Sequence, residues 1–272
     1  MTWADPFYTG STVKVEAGVL GFEVLEAAHA RDLVVLTGAC PTVGVAGGYT
    51  QGGGHSALST TFGLAADQTL EFEIVTATGQ FVKASRTENA DLHWALSGGG
   101  GGTYGVVISL TVRTHHESTV GGASLQMTAG VMINYYVNNA IFVIHPVIVY
   151  NSTAAYVRDT VLAPFIVHLA ELGITASVNY TELPYRDHYD TYMGPLPYGH
   201  LPVEAYQYGS RMIPRSVLEN NNSTLQTVLQ NLTANGVLAV GSSASFVGAK
   251  DVYNAVNPAW RNTTVHMQLT TP

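Results

Sequence analysis

Charge is scarce in this chain of 272 residues: Asp, Glu, Lys and Arg together make up 11%, against roughly 25% in typical soluble domains. A surface so poor in charge must be covered by Ser, Thr, Asn, Gln, Gly and Tyr. Basic residues are the scarcer, 11 Lys and Arg against 19 Asp and Glu, for a formal net charge of −8. No Lys/Arg cluster offers the footprint of a nucleic-acid or anionic-membrane partner, so a small molecule is the expected partner. Cysteine is rarer still: Cys40 is the only one, which excludes an internal disulfide and leaves packing to hold the fold. Long apolar runs are missing too. The longest, Val131 to Tyr150, is interrupted by Asn134, Asn138, Asn139, His145 and Pro146, and reads as a pair of buried strands rather than a membrane span. The opening MTWADPFYTGST shows neither the basic start nor the apolar stretch of a signal peptide.

Metal-ligand spacing is absent as well. The ten histidines are dispersed, and only His115 and His116 are close; adjacent strand residues point to opposite faces. Without HExxH or a Cys/His pattern, no metal is expected. Three glycine signatures nearly match and fail on context. Gly100, Gly102 and Gly105 satisfy G-x-G-x-x-G, but the helix precedes them and a strand follows, the reverse of a dinucleotide fingerprint. GHSAL at 54–58 has Leu58 where a nucleophile elbow needs its second glycine. Neither glycine run leads into Lys-Ser/Thr, which excludes a P-loop.

What is present is glycine itself. Gly44, Gly47, Gly48, Gly52, Gly53 and Gly54 fall within eleven positions, just after Cys40. Such a run either turns tightly or lets peptide N–H groups approach a flat or anionic ligand closely. Cys40 by itself is a packing residue, an unpaired leftover or an attachment point.

Alternation and helical spacing organise the rest. TVKVEAG (12–18) predicts a strand, GFEVLEAAHARD a short helix and LVVLTG a short buried strand. TLEFEIVTATGQFVKAS predicts a hairpin turning at Thr78, Gly79 and Gln80. TENADLHWALSG predicts a helix capped by Thr87 or Asn89 and stopped at Gly98, and TYGVVISLTVRTH a strand. From about residue 119 glycines thin out and aromatic residues rise, which marks the expected boundary between domains 1–118 and 119–272. Beyond it, TAAYVRDTVLAPFIVHLAELG predicts a helix that Pro164 kinks or splits. ITASVNYTEL, SVLENNNSTLQTVLQNLTANG and VLAVGSSASF predict a strand, one polar-faced helix and another strand. Strands and helices in blocks imply an α+β fold. Six N-x-[ST] sequons, at Asn151, Asn179, Asn221, Asn222, Asn231 and Asn262, all lie in the second region. Roughly two would arise by chance, so a secreted glycoprotein is expected.

Taken together, CPTVGVAGGYTQGGGHS, FGLAADQTLEFEIVTATG, DLHWALSGGGGGTYGVV and VNPAWR, with LAPFIVHLAELG and GSRMIPRS, resemble in order and spacing the fungal berberine bridge enzyme-like flavoproteins. These are FAD-linked oxidases of the vanillyl-alcohol oxidase superfamily. The resemblance implies part of a PCMH-type FAD-binding domain followed by an antiparallel-sheet substrate domain with flanking helices. It places Cys40 where many members hold the flavin through a 6-S-cysteinyl bond. It places Thr42, Val43, Gly44, Gly47 and Gly48, then Gly52, Gly53, Gly54 and His55, along the isoalloxazine and pyrophosphate. Leu64, Ala65 and Asp67 would support the cofactor, and Gly105, Val106 and Val107 would pass it at a strand start. A thioether raises the flavin's oxidising power and prevents its loss. Against the family pattern the chain reads as truncated at both ends, without the segment bearing the 8α-linking histidine and without the final return.

The implied reaction is hydride transfer from an alcohol, sugar or amine to flavin N5. Dioxygen is the acceptor, hydrogen peroxide the product, and a monomer the expected state. The substrate would lie over the ring on the sheet of the second domain. For the catalytic base the candidates are Tyr206 and Tyr208, two apart on one strand face, joined by Arg211 only if Gly209 marks a bulge. The alternative is a non-catalytic remnant or small-molecule-binding fold without flavin.

Overall fold

A computed structural model describes residues 1–127, 135–137, 142–199, 207–246 and 252–271. The described chain divides into two compact units. The first is Met1–Glu117 with two returning segments, Tyr189–His200 and Phe246–Trp260; the second is Ser118–His188, Leu201–Ser245 and Arg261–Pro272.

In the first unit the strands are β1 (Thr2–Ala4), β2 (Thr9–Glu16), β3 (Leu33–Val34), β4 (Thr69–Val75), β5 (Phe81–Ser85), β6 (Val106–Arg113) and β7 (His115–His116), and the helices are α1 (Gly21–His29), α2 (Ser59–Phe62) and α3 (Ala90–Leu96). Five strands form one sheet in the order β1-β2-β6-β4-β5, and β3 pairs with β7. Every pairing is antiparallel. Alternation in the sequence builds this sheet: Phe72 and Ile74 on β4, Ala84 on β5 and Leu110 and Val112 on β6 point into one core. Val24 and Ala28 of α1 and Leu96 of α3 close it. The hairpin between β4 and β5 turns where expected, with Gly79 at φ +78° and the Gly79 N–H donating to the Thr76 carbonyl. LVVLTG pairs only over Leu33–Val34, although Val35, Leu36 and Thr37 stay buried behind it.

The start of α3 falls at an expected residue but is not capped by it. Asn89 does occupy the N-cap of α3, but at φ +49° its side-chain amide donates to the Lys83 carbonyl instead of capping. Thr87 is drawn to Ser85, 3.1 Å away. On α1 the cap comes from inside: Glu23 accepts the Leu20 N–H at 2.8 Å, the reach-back half of a capping box.

The second unit contains β8 (Thr119–Met127), β9 (Tyr135–Val137), β10 (Phe142–Tyr150), β11 (Ser177–Pro184), β12 (Gln207–Pro214), β13 (Leu238–Ser243) and β14 (Thr263–Thr271). They form a seven-stranded antiparallel sheet in the order β11-β8-β10-β9-β13-β14-β12. The helices are α4 (Ala154–Tyr156), α5 (Ala163–Glu171), α6 (Tyr185–Met193), whose last turn enters the first unit, α7 (Arg215–Asn220), α8 (Asn222–Ala234) and α9 (Ala259–Asn262). Of the run Val131–Tyr150, residues 131–134 and 138–141 lie outside the described residues; β9 and β10 are the strands described there. Phe165, Ile166 and Leu169 of α5, Leu218 of α7 and Leu229 of α8 pack on Leu125, Ile144, Ala239, Val265 and Met267 of the sheet.

A kink or a split is the expectation at Pro164; the backbone stays helical through Leu162 and Ala163, and the preceding Val157–Leu162 widens to a π-turn that accommodates the proline in the first turn of α5. The single helix expected over 216–236 is instead two, because Asn221 at φ −137° leaves the helical region between α7 and α8. Among the described residues no helix is long and apolar enough to cross a membrane, and no group of three or more His, Cys, Asp or Glu could hold a metal ion.

Burial holds His93 of α3 and His188 of α6 at about 4, below the ordinary 6.5; they are 2% and 0% exposed. Their folded values are depressed, so the unfolded chain takes up protons first, and stability present above about pH 6.5 is lost as pH falls toward 4. Denaturant unfolding at pH 7 and pH 4.5 should show the His93→Phe variant losing about 2–3 kcal/mol less than the parent between the two. Equal losses in both would exclude His93 as a source of acid sensitivity.

Candidate functional site

The glycine-rich stretch lies entirely within the first unit, and each part of it is held by a different anchor. After the buried Val35–Thr37 the chain surfaces at Gly38, and Cys40 follows, half-buried, its thiol pushed up by that burial. The turn after it is fixed on the start of α1: the Gly21 N–H donates to the Val43 carbonyl and the Phe22 N–H to the Pro41 carbonyl, both at 2.9 Å. The returning segment Tyr189–His200 holds its other side. Tyr189 Oη donates to the Gly38 carbonyl at 2.6 Å, and Gly199 lies against Pro41 so closely that a Cβ there would stand 2.9 Å from the proline ring.

The chain then enters a π-turn, Val45–Tyr49. Val45 and Ala46 are buried in the core, and the Thr50 hydroxyl donates to the Val45 carbonyl at 2.8 Å. Gly44, Gly47 and Gly48 point the other way: a Cβ on any of them would meet nothing within 4 Å. At Gly44, with φ −66° and ψ 129°, the backbone is extended and demands no glycine. Neither packing nor conformation inside the protein therefore accounts for that missing side chain, whereas the close approach of a flat ligand would. This is the test of fit for a flavin, and the residues pass it.

Tyr49 braces the wall. Its ring lies against both Gly38 and Gly54, where added Cβ atoms would come within 3.2 and 3.0 Å, and its hydroxyl donates to the His55 carbonyl at 3.1 Å. Gly53 and Gly54 adopt φ of +106° and +69°, a region costly for other residues. Their carbonyls accept the Ala66 and Ala65 N–H groups, which ties the loop to the turn Leu64–Gln68. Leu64 and Ala65 are buried and act as the wall's backing. Asp67 organises that turn, accepting the Leu64 N–H on one oxygen at 2.9 Å and the Asn254 amide on the other at 2.6 Å.

The second glycine run joins the first, which the sequence reading did not foresee. Gly100 donates its N–H to the Gln51 carbonyl at 2.9 Å, and a Cβ on Gly101 would lie 3.1 Å from the Gly48 Cα. Gly105, at φ +148°, lets β6 begin against Ile74 and Val75; Val106 then faces outward, 67% exposed, and Val107 inward. Thr42 and Val43 are exposed and His55 half-buried.

In the second unit, Tyr208 is exposed on β12, an edge strand. The β12–β14 register runs unbroken through Gly209 to Arg211, so no bulge rotates Arg211 onto the face of Tyr208; the two project from opposite faces. Tyr206 lies outside the described residues.

Residues 6–85 match the family model of the FAD binding domain. The FAD-linked oxidoreductase ZEB1 of Gibberella zeae is 46% identical over 99% of this chain and 52% of its own length. The FAD-linked oxidoreductase sthB of Phaeosphaeria nodorum is 41% identical over 75% of this chain and 73% of its own. The fold superposes on the VAO-type flavoprotein MtVAO615 of Myceliophthora thermophila with a TM-score of 0.90 at 35% identity, covering 98% of this chain and 54% of that one. The chain spans about half the length of most curated relatives it matches. With a bare-backbone wall beside a half-buried cysteine in the matched region, this chain belongs to the fungal FAD-linked oxidoreductases, relatives of the VAO-type flavoproteins, whose cofactor is FAD.

Proposed function

We propose that the protein takes part in oxidising an alcohol, sugar or amine at the expense of dioxygen, with FAD held in the first unit and joined to Cys40 through sulfur. The observation that carries this reading is the open space in front of Gly44, Gly47 and Gly48 beside a half-buried thiol. When bound, the flavin supplies two-electron chemistry, accepting a hydride equivalent from substrate and passing the electrons to dioxygen to give hydrogen peroxide. The chain's own residues bind and orient. The Gly44–Gly48 backbone presents a flat face, the Gly52–His55 loop a second wall braced by Tyr49, and Asp67 keeps the supporting turn closed. Cys40 stands between two fixed points of the chain, the Gly38 carbonyl held by Tyr189 and the Pro41–Val43 turn held by α1. Support for a thioether comes from a protein of the same fold, the glucooligosaccharide oxidase of Acremonium strictum, TM-score 0.74 at 20% identity, which carries a 6-S-cysteinyl, 8α-N1-histidyl FAD.

Passage through a secretory pathway belongs to the same proposal. All six sequon asparagines are exposed, and all six lie in the second unit. Produced by secretion from a filamentous fungus, the protein should lose mass on treatment with an N-glycosidase, with Asn converted to Asp at these positions. Unchanged mass would remove the secretory reading.

Acid precipitation tests the cofactor claim. The parent protein should give a yellow, fluorescent pellet, and Cys40→Ala a pellet of less than about a tenth the flavin, with the released FAD in the supernatant. Equal covalent flavin in the variant would reassign the attachment, and a colourless pellet and supernatant from folded parent would favour the flavin-free binding fold.

A further inference from the structure

The returning segment Phe246–Trp260 contributes none of the glycines of the site, yet its described part, Phe246 with residues 252–260, is fastened to the glycine-rich walls at several points. The Ala255 N–H donates to the carbonyls of Trp94 and Ser97, at 3.2 and 2.9 Å, where α3 ends. Val256, 7% exposed, covers Gly53 and Gly98. A Cβ on Gly98, which sits at φ +105°, would come within 2.7 Å of the Val256 backbone nitrogen, so the strap reaches its seat only because that residue is glycine. Asn254 donates to Asp67 at 2.6 Å. At the far end the Trp260 ring stacks on His55, centroids 6.0 Å apart and planes 22° apart, and Phe246, 2% exposed, meets Trp260 edge-on at 4.9 Å.

These contacts converge on one loop. Gly52, Gly53 and Gly54 have more backbone freedom to lose than any other residue type, and a ligand that must order its own binding loop binds more weakly for it. Three of the strap's contacts, on Gly53, His55 and Asp67, remove that freedom beforehand, and the stack on His55 is the one at the loop's exit. We infer that Trp260 is a positioning residue for FAD: by stacking on His55 it holds the Gly52–His55 wall in its binding shape. Asn254 does the same from the Asp67 side. The inference rests on the proposal that the first unit holds FAD.

Two measurements on the full chain test it, all variants being made beside Cys40→Ala so that FAD binds reversibly: FAD affinity by fluorescence titration, and amide hydrogen exchange over residues 52–67 without FAD. Trp260→Ala should bind FAD about tenfold more weakly and exchange faster across 52–67, while Trp260→Phe, which keeps a stacking ring, should restore both to within about twofold. If Trp260→Ala does not fold, Asn254→Ala takes its place, with the same direction expected from the loss of one hydrogen bond. Unchanged affinity in the alanine variant, or weakened affinity with unchanged exchange over 52–67, overturns the inference while leaving parental FAD binding intact. A parent that binds no FAD overturns the functional proposal and this inference together.

Discussion

A flat cofactor can lie against a peptide backbone only where no Cβ stands between them, and that steric constraint governs the first unit. The chain meets it by placing glycine where its own fold has no use for glycine. At four other glycines of the site the missing side chain has an internal reason: Gly98 admits the strap, Gly105 admits the start of β6, and Gly53 and Gly54 take backbone angles that other residues resist. Gly44 has none of these reasons, and it lies in the same turn as Cys40. A glycine that costs conformational entropy and returns nothing to packing points to something outside the polypeptide.

Bare backbone is flexible, so the constraint creates a second requirement, rigidity supplied by neighbours. Tyr49 fills the gap between Gly38 and Gly54, α1 donates its first N–H groups to the Pro41 and Val43 carbonyls, and Asp67 draws two segments together through one carboxylate. Buried hydrogen bonds of this kind contribute about 1 kcal/mol each, more when a charged group accepts them. Their larger effect is to leave the loop few alternatives. The same need explains why distant segments return to the unit. Tyr189 grips the Gly38 carbonyl and Phe246–Trp260 covers the glycine walls; neither could be replaced by a local turn, because the turn is the part that must stay bare.

Local pattern made much of the architecture readable. Alternation located β2, β4, β5 and β6, the turn at Gly79 and the inward row Phe72–Ile74, because strand periodicity is written in consecutive residues. Pro164 announced its own helix start. The failures have physical causes. Asn221 breaks an otherwise helical run through its own backbone angle, with no proline or glycine to signal it. Asn89 sits at the cap yet spends its amide on Lys83. The Gly98–Gly102 run could be rejected as a dinucleotide fingerprint from local context, but its closeness to Gly48 is a tertiary fact. So are the strap's contacts: VNPAWR, with Val256 and Trp260, stood among the motifs of the resemblance, but nothing local said that it packs on the glycine walls. Of the site itself, the cysteine, the glycines and the supporting turn at Leu64–Asp67 were legible through the resemblance, and the bracing by Tyr49, Tyr189 and the strap was not.

The central claim is that the space before Gly44 is kept for the cofactor, and filling it is the most direct test. Gly44→Val puts a side chain into that space whose Cβ meets no atom of the protein within 4 Å, without leaving an allowed backbone conformation. FAD titration of the variant in a Cys40→Ala background, where the cofactor binds reversibly, beside its thermal midpoint, separates the two roles a glycine can have. The account predicts a midpoint within about 4 °C of the parent and FAD binding weakened at least about tenfold. Undiminished FAD binding by the valine variant would contradict it.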